Sequence, residues 1–164
     1  DKHADRLVFE LLESKYRSLR LFCAGRLDVD SEGLVILTND GSLANRLTHP
    51  SHGVRKKYKV ELNIPFDTVD LPSLVYGVVV EDEFLKIDEL KPSKGKSLRS
   101  TKLDILMGHG KKREIRRIFY HLGYKVKKLR RVAIGGLGIN NVSIGQSRLL
   151  KKEEIELLFP REVS

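Results

Sequence analysis

The side chains most able to do chemistry gather between residues 25 and 33, where Asp28, Asp30 and Glu32 stand at alternate positions. A calcium loop would need a further oxygen ligand near its end, but an apolar run follows at residues 34–37. The two carboxylates of a glycosidase come from separate elements that face each other across a cleft, whereas these three share one short segment. The spacing therefore favours neither a calcium site nor a glycosidase pair.

The other candidate reactive residues lack partners in the sequence. His49 and His52 form an H-x-x-H pair, but no nearby cysteine or carboxylate pattern completes a tetrahedral metal site, so a helix-ending turn is expected and no metal. His109 and His121 stand apart from any serine or cysteine nucleophile pattern. Cys23, the single cysteine, is predicted to be a small buried residue.

Composition sets the class of protein. A chain of 164 residues with 40% hydrophobic and 32% charged residues suffices for one compact domain with a hydrophobic core. Its apolar runs are too short to span a bilayer, its first residues do not resemble a secretion signal, and a single cysteine is typical of a reducing compartment. We therefore expect a cytoplasmic protein that is not bound to a membrane.

A net charge of +9 indicates a polyanionic partner, because basic proteins attract phosphate-rich surfaces. Most of the excess lies in two clusters, and a solvated face without a partner is the usual role of a single charge run. Two clusters favour nucleic acid. They consist of Arg55, Lys56, Lys57 and Lys59, and of Lys111, Lys112, Arg113, Arg116, Arg117, Lys125, Lys127, Lys128, Arg130 and Arg131.

The elements that would position these residues begin with a short amphipathic helix over residues 5–16. Residues 34–38 form a continuous apolar run that predicts a strand buried on both faces. Asp40 is the expected N-cap of a helix over residues 42–47, which His49 and the proline after it would end.

The rest of the chain mixes strands and helices without a regular βαβ alternation, which predicts an α+β fold with a mixed, largely antiparallel sheet flanked by helices. Two segments alternate apolar and polar residues, as half-buried strands do. A helix is predicted where apolar residues recur at positions 115, 118, 119 and 122, with Gly123 at its end. The predicted segments are strands at 58–62, 103–107 and 126–134, an exposed loop at 90–100, and helices at 115–122 and 152–159.

Four motifs together resemble the RsuA/RluB branch of the pseudouridine synthases. The strongest is GRLDVDSEGL at residues 25–34 with TNDG at 38–41, in which Ser31 replaces the usual threonine. The others are residues 43–51 with Lys57 and Tyr58, residues 113–119 with Leu122 and Gly123, and residues 129–135. The resemblance covers nearly the whole chain and keeps the family's order of motifs.

This resemblance implies that the chain isomerises uridine in RNA to pseudouridine without a cofactor. Asp28 would attack the ribose C1′ or remove the C2′ proton, Arg116 would pair with it, and Tyr58 would contact the flipped base. Asp28, Tyr58 and Arg116 are thus the expected catalytic residues. The residues expected to bind the substrate are Arg26, Leu129, Lys56, Lys57, Arg113, Arg117, Arg130 and Arg131.

The expected partner is ribosomal RNA or a ribosomal subunit precursor, and the resemblance favours the large subunit. The protein is expected to be a monomer without a protein partner. Residues 1–164 would form the catalytic domain, because the S4-type domain and the first strand usual in this branch are not in the sequence. The alternative is a noncatalytic RNA-binding or ribosome-associated domain in which Asp28 is a turn residue. A DNA-binding regulator is less favoured, because no helix-turn-helix pattern is present.

Overall fold

The computed structural model of the protein describes residues 8–161, and a mixed sheet runs through its centre. The strands are β1 (Phe22–Cys23), β2 (Glu32–Gly33), β3 (Leu37–Thr38), β4 (Lys56–Leu62), β5 (Val78–Val80), β6 (Glu83–Leu85), β7 (Glu89–Pro92), β8 (Lys102–Met107), β9 (Val126–Ile134) and β10 (Leu137–Gly138). The helices are α1 (Ser14–Arg17), α2 (Gly41–Thr48), α3 (Leu71–Tyr76), α4 (Glu114–His121) and α5 (Lys152–Leu157), with 3-10 turns at Pro50–His52, Thr68–Asp70 and Ile139–Asn141.

The central sheet has the order β10-β9-β4-β8-β7 with antiparallel neighbours, and β2 joins β9 in parallel. Two separate pairs, β1 with β3 and β5 with β6, complete the strand pairing. The expected α+β class with a mixed, largely antiparallel sheet is confirmed. So are the predicted antiparallel strands β4 and β8 and the long strand β9.

The main core lies on one face of this sheet under α4. Val60 and Leu62 of β4 pack with apolar residues of β8, and Ile118 and Phe119 of α4 are fully buried against them. The rings of Phe119, Phe66 and Tyr124 meet with centroids 5.6–6.4 Å apart. The predicted helix stripe is therefore the side of α4 that enters the core, and Gly123 follows it with φ +97°, as predicted for a left-handed residue after a helix.

A second apolar cluster joins α2 to the far end of β9. Leu47 of α2, Val54 and Ile134 are buried there together with Leu158, which follows α5. The Asp40 side chain accepts hydrogen bonds from the amides of Ser42 and Leu43, so its predicted N-cap role is confirmed. The predicted helix at 152–159 is confirmed in its first part, since α5 ends at Leu157.

The apolar run at residues 34–38 is not the strand buried on both faces that was predicted. Its residues are divided between two pairings, because the Leu34 amide donates to Arg131 of β9 while Leu37 and Thr38 pair with β1. Most of its side chains are half-buried. Cys23, expected to be buried, is also half-buried. A hydrophobic run alone does not distinguish a core strand from a segment that changes neighbours midway.

Three further segments differ from expectation. The predicted helix at 5–16 is interrupted after helical residues 8–10 and resumes as α1, while positions 5–7 lie outside the described residues. The expected loop at 90–100 begins with β7, which pairs with β8 despite its proline at the end. The hairpin β5–β6 turns at Glu81 and Asp82, both with positive φ, and neither residue is a strong sequence signal for such a turn.

Helix length bears on membrane insertion as well. No helix within residues 8–161 combines the length and the apolar character that a bilayer crossing requires. Within these residues the longest helices are α2 and α4, with eight residues each.

Replacement of Asp40, the N-cap of α2, should change the stability of the protein measurably. We expect Asp40→Ala to lower the free energy of unfolding by about 1 kcal/mol, because two amides of the first turn lose their acceptor. Asp40→Asn keeps a side-chain oxygen and should remain within a few tenths of a kcal/mol of the natural protein. Urea denaturation of the three proteins measures this, and equal losses in both variants would contradict a capping role.

Candidate active site

A pocket of about 440 Å³ opens between the segment after β1, the start of β4 and the start of α4. Its volume falls within the range of about 300–1,000 Å³ that is usual for small-molecule sites. Most of the residues predicted for the site line it. These are Arg26, Asp28, Lys56, Tyr58, Arg113, Arg116, Leu129 and Arg131.

Asp28 lies on the loop of residues 26–34, which we call the Asp28 loop. The Asp28 carbonyl accepts a hydrogen bond from the Ser31 amide at 2.9 Å, which closes a turn around the carboxylate-rich segment. Asp28 is about one-third exposed and faces the pocket. The loop thus presents a carboxylate to a cavity, as the catalytic assignment requires.

Arg113 is the cation nearest to Asp28 within the described chain. Its guanidinium makes two hydrogen bonds to the Asp30 carboxylate, at 2.8 and 3.0 Å, and lies 3.8 Å from the Asp28 carboxylate. The residue is the N-cap of α4 and has φ +53°, an uncommon backbone conformation for arginine. The hydrogen bonds from Arg113 hold the pKa of Asp30 below its ordinary value.

Arg116 does not form the expected ion pair with Asp28, near which Arg113 lies instead. It contacts the neighbouring residues, since its Nη2 donates to the Asp30 carbonyl at 2.7 Å and to the Ser31 hydroxyl at 3.3 Å. Its Nε lies 3.4 Å from the Asp30 carboxylate but is buried without a hydrogen bond. Because Arg113 and Arg116 stand three residues apart near the start of one helix, both reach the same loop, and Arg113 is the one that reaches Asp28.

One face of the sheet forms the floor of the pocket. Lys56 and Tyr58 alternate along β4 and line the pocket together with Leu129 of β9. Leu129 is also part of the main core, so this residue, which was expected to bind the substrate, is a pocket wall and a core residue at once. Tyr58 is half-buried and stands opposite Arg131 in the register of β4 and β9.

Lys56 is a cation in a partly desolvated place. Burial lowers the pKa of its ammonium group, and the positive charge of Arg131 lowers it further. No hydrogen bond or ion pair links its side chain to the rest of residues 8–161. The floor of the pocket is therefore electropositive and has an unpaired donor available to a ligand.

Arg131 was expected to contact RNA phosphates, but its side chain is only 4% exposed. Its guanidinium donates to the carbonyls of Leu34 at 2.9 Å and Arg26 at 3.2 Å. The side chain thus contacts the Asp28 loop from the side of the sheet. Arg26, whose own side chain is exposed, lines the pocket mouth.

Three predicted RNA-contacting residues lie outside the pocket. Lys57 points to the opposite face of β4 from Lys56, where it forms an ion pair with Asp104 at 3.5 Å, because side chains alternate along a strand. Arg130 stands opposite Lys59 on that same outer face. Arg117 forms an ion pair with Glu83 of the β5–β6 hairpin. The predicted basic clusters are therefore divided between two sides of the molecule.

Sequence reasoning missed a buried carboxylate next to the pocket. Glu114 is 3% exposed and accepts hydrogen bonds from the amides of Lys86 and Lys111, while His109 lies 3.1 Å away. This carboxylate holds the segment before α4 in place and so supports Arg113. A glutamate in the first helical turn is a common signal for helix stability, and nothing in the pattern shows that it is buried.

The H-x-x-H pair has the turn role that was expected. The Ser51 amide donates to the His49 ring at 3.2 Å, which caps the 3-10 turn Pro50–His52 after α2. In the described part of the chain, no group of three or more His, Cys, Asp or Glu side chains is arranged to hold a metal ion.

Comparison with known proteins identifies the family. The sequence model of the family described as RNA pseudouridylate synthase matches residues 2–121. A crystal structure of a pseudouridylate synthase superposes with a TM-score of 0.82 at 30% identity, covering 92% of this chain and 64% of that chain. The chain belongs to the RNA pseudouridine synthase family, and the family predicted from the four sequence motifs is confirmed.

Two relatives show the extent of the match. An uncharacterised RNA pseudouridine synthase of Aquifex aeolicus is 38% identical over 140 residues, which cover 85% of this chain and 56% of the relative. The ribosomal large subunit pseudouridine synthase B of Vibrio cholerae is 34% identical over 137 residues, covering 84% of this chain and 42% of the relative. The chain thus spans about half the length of these curated relatives.

The close approach of β2 to β9 gives a testable consequence. Gly33 has φ +119°, and a Cβ at this position would lie 2.2 Å from the Arg131 carbonyl oxygen. We expect Gly33→Ala to lower the free energy of unfolding by roughly 1–3 kcal/mol, because the Asp28 loop must move. Gly41→Ala, with no atom within 4 Å of the added Cβ, is the matched control and should not lower the free energy of unfolding, since alanine favours a helix more than glycine does. Urea denaturation of the three proteins measures this, and equal stability of Gly33→Ala and Gly41→Ala would contradict the close approach.

The Asp30 ion pair predicts a dependence of stability on pH. The pKa of Asp30 is lowered in the folded protein, so its contribution is present above the ordinary aspartate pKa of about 4 and is lost as pH falls through the lower folded pKa. We expect Asp30→Asn to be less stable than the natural protein at neutral pH and the difference to shrink below about pH 4. Urea unfolding at a series of pH values measures it. A difference that stays constant down to strongly acidic pH would rule out the ion pair as its source.

Proposed function

We propose that this chain isomerises uridine to pseudouridine in ribosomal RNA, with Asp28 as the reacting carboxylate. The observation that carries the proposal is that Asp28 lines one pocket with Tyr58, Leu129 and Lys56, in a chain that belongs to the RNA pseudouridine synthase family. The reaction breaks the bond from N1 to C1′, turns the base, and joins C5 to C1′. Substrate and product are isomers, so atoms and electrons balance without a cofactor.

Asp28 has two chemically reasonable roles in this reaction. Its carboxylate either attacks C1′ as a nucleophile or removes the C2′ proton as a base, and both roles need the ionised form. The guanidinium of Arg113 places a positive charge 3.8 Å from this carboxylate. Arg116 supports the same carboxylate indirectly, because it holds the backbone of the following residues.

The floor of the pocket suits a pyrimidine. Leu129 offers an apolar wall, and Tyr58 offers an aromatic face for stacking and a hydroxyl within the cavity. The unpaired ammonium of Lys56 can donate a hydrogen bond to a uracil carbonyl or to the flanking phosphate. A base that leaves its stack costs a few kcal/mol, which these contacts would offset.

Cations at the pocket mouth would bind the RNA backbone. Arg26, Lys111 and Lys112 line the opening, and all three are exposed. Because phosphate contacts release counterions, binding should weaken steeply as salt concentration rises. Lys57, Arg117 and Arg130, which lie elsewhere, are not assigned to this contact.

Ribosomal RNA of the large subunit is the proposed substrate, which would place the activity in the cytoplasm. The support is the likeness to the Vibrio cholerae large-subunit synthase over 84% of this chain. The activity belongs to the whole protein, which extends beyond this segment in the relatives. We propose that the enzyme acts as a monomer, since one copy supplies all the pocket residues named here.

The test replaces the reacting carboxylate. We expect Asp28→Asn to reduce pseudouridine formation in unmodified large-subunit ribosomal RNA to background, because the amide neither attacks carbon nor accepts the proton at useful rates. RNA affinity should change less than about threefold, since phosphate contacts are retained. Chemical mapping of pseudouridine and a filter-binding titration provide the two measurements.

The control is Asp82→Asn, at an exposed aspartate in the β5–β6 turn whose positive φ asparagine also tolerates. It should behave like the natural protein. Equal product from the natural protein and Asp28→Asn would remove Asp28 from the mechanism. Tight RNA binding without any product from the natural protein would favour the noncatalytic RNA-binding alternative, and stronger binding to duplex DNA than to RNA would favour the DNA-binding one.

A further inference from the structure

The buried guanidinium of Arg131 lies beneath the Asp28 loop and touches both of its ends. Nε donates to the carbonyl of Leu34, at one end, and Nη1 donates to the carbonyl of Arg26, at the other. The two acceptors stand eight positions apart in sequence, on either side of Asp28. A planar guanidinium presents donors in fixed directions, so one side chain sets the distance between the two ends.

The backbone of Arg131 holds one of these ends as well. Gly33 pairs in parallel with Arg131, and the Leu34 amide donates to the Arg131 carbonyl at 2.9 Å. The Arg26 end of the loop has no such strand pairing. Among residues 8–161, the Arg26 carbonyl accepts a hydrogen bond from Nη1 of Arg131 and from no other group. The side chain is therefore what joins the proximal end of the loop to the sheet.

The charge of Arg131 is also unusual for a buried residue. No carboxylate of the described chain lies within ion-pair distance of its guanidinium. A buried charge without a counterion is costly, so an apolar residue would be favoured here if packing alone mattered. The positive charge of Arg131 lies beside the pocket and lowers the pKa of Lys56. The same charge would attract an anionic group bound in the pocket.

We propose that Arg131 is a positioning residue, which joins the two ends of the Asp28 loop and so keeps the Asp28 carboxylate directed into the pocket. The inference rests on the proposed function for the role of Asp28. It assigns to Arg131 no contact with RNA. Its effect should accordingly fall on the rate of the chemical step, because a displacement of a reacting group by about 1 Å can cost a hundredfold in rate.

The first test compares Arg131→Lys with Arg131→Met. Lysine keeps the charge but cannot present two diverging donors to both carbonyls, and methionine removes both donors. We expect both variants to reduce kcat about 10- to 100-fold while KM for ribosomal RNA changes less than about threefold. Amides of residues 26–34 should exchange hydrogen faster in both variants, while amides of β8 keep their protection.

The control for lost stability is Leu74→Ala, a truncation in the core far along the chain from the loop. It should lower the midpoint of urea unfolding and leave kcat unchanged. If Arg131→Met does not fold, Arg131→Lys decides alone. Natural kcat and natural loop exchange in Arg131→Lys would overturn the proposal, and so would a loss confined to KM, which would indicate an RNA contact.

The two proposals fail in different ways. If the natural protein forms no pseudouridine, the proposed function fails, and the exchange of residues 26–34 still tests the joining of the loop ends. If the natural protein is active and the loop exchange is unchanged in both variants, Arg131 does not join the ends, and Asp28 can retain its proposed role.

Discussion

Hydrogen bonds from three guanidinium groups hold the Asp28 loop against the sheet and the start of α4. Arg113 binds the Asp30 carboxylate, Arg116 binds the Asp30 carbonyl, and Arg131 binds the two ends of the loop. Backbone pairing anchors this loop at β2, a strand of two residues. The position of the carboxylate in the pocket thus depends on side-chain donors from remote parts of the chain more than on secondary structure.

The same arrangement gives the pocket its electrostatic character. Asp30, rather than Asp28, takes the two hydrogen bonds of Arg113, and this leaves the Asp28 carboxylate one-third exposed and near a cation. The uncompensated charge of Arg131 and the partly desolvated Lys56 make the floor positive. An anionic group in such a pocket would meet this positive charge and, at Lys56, an ammonium group with no hydrogen-bond or ion-pair partner among residues 8–161.

The alternation of side chains along the sheet determines which basic residues line the pocket. Along β4 the side chains of Lys56 and Tyr58 point into the pocket, and those of Lys57 and Lys59 point to the other face, where Asp104 pairs with them. A basic cluster that is continuous in sequence is therefore divided by the alternation of a strand. Counting charges along the chain therefore overestimates how many basic residues face the pocket.

The sequence by itself determined the family and the elements whose signals are local. The Asp40 cap, the apolar stripe of α4 and the alternation along β4 each depend on residues within a few positions of one another, and the structure bears out all three. The four motifs identified the family because their residue types and order are specific. Membership of the pocket was therefore predictable for most of the site residues.

Only the tertiary structure decided which cation meets which carboxylate. The family resemblance predicted Arg116 as the partner of Asp28, whereas Arg113 is the arginine that lies near it. The contact between Arg113 and Asp30 joins residues 83 positions apart. The burial of Arg131 and Glu114 could not be predicted either, because a charged residue in a sequence is normally assigned to the surface. Such pairings depend on backbone conformations and donor directions that are set when distant segments pack together, and local patterns carry no record of them.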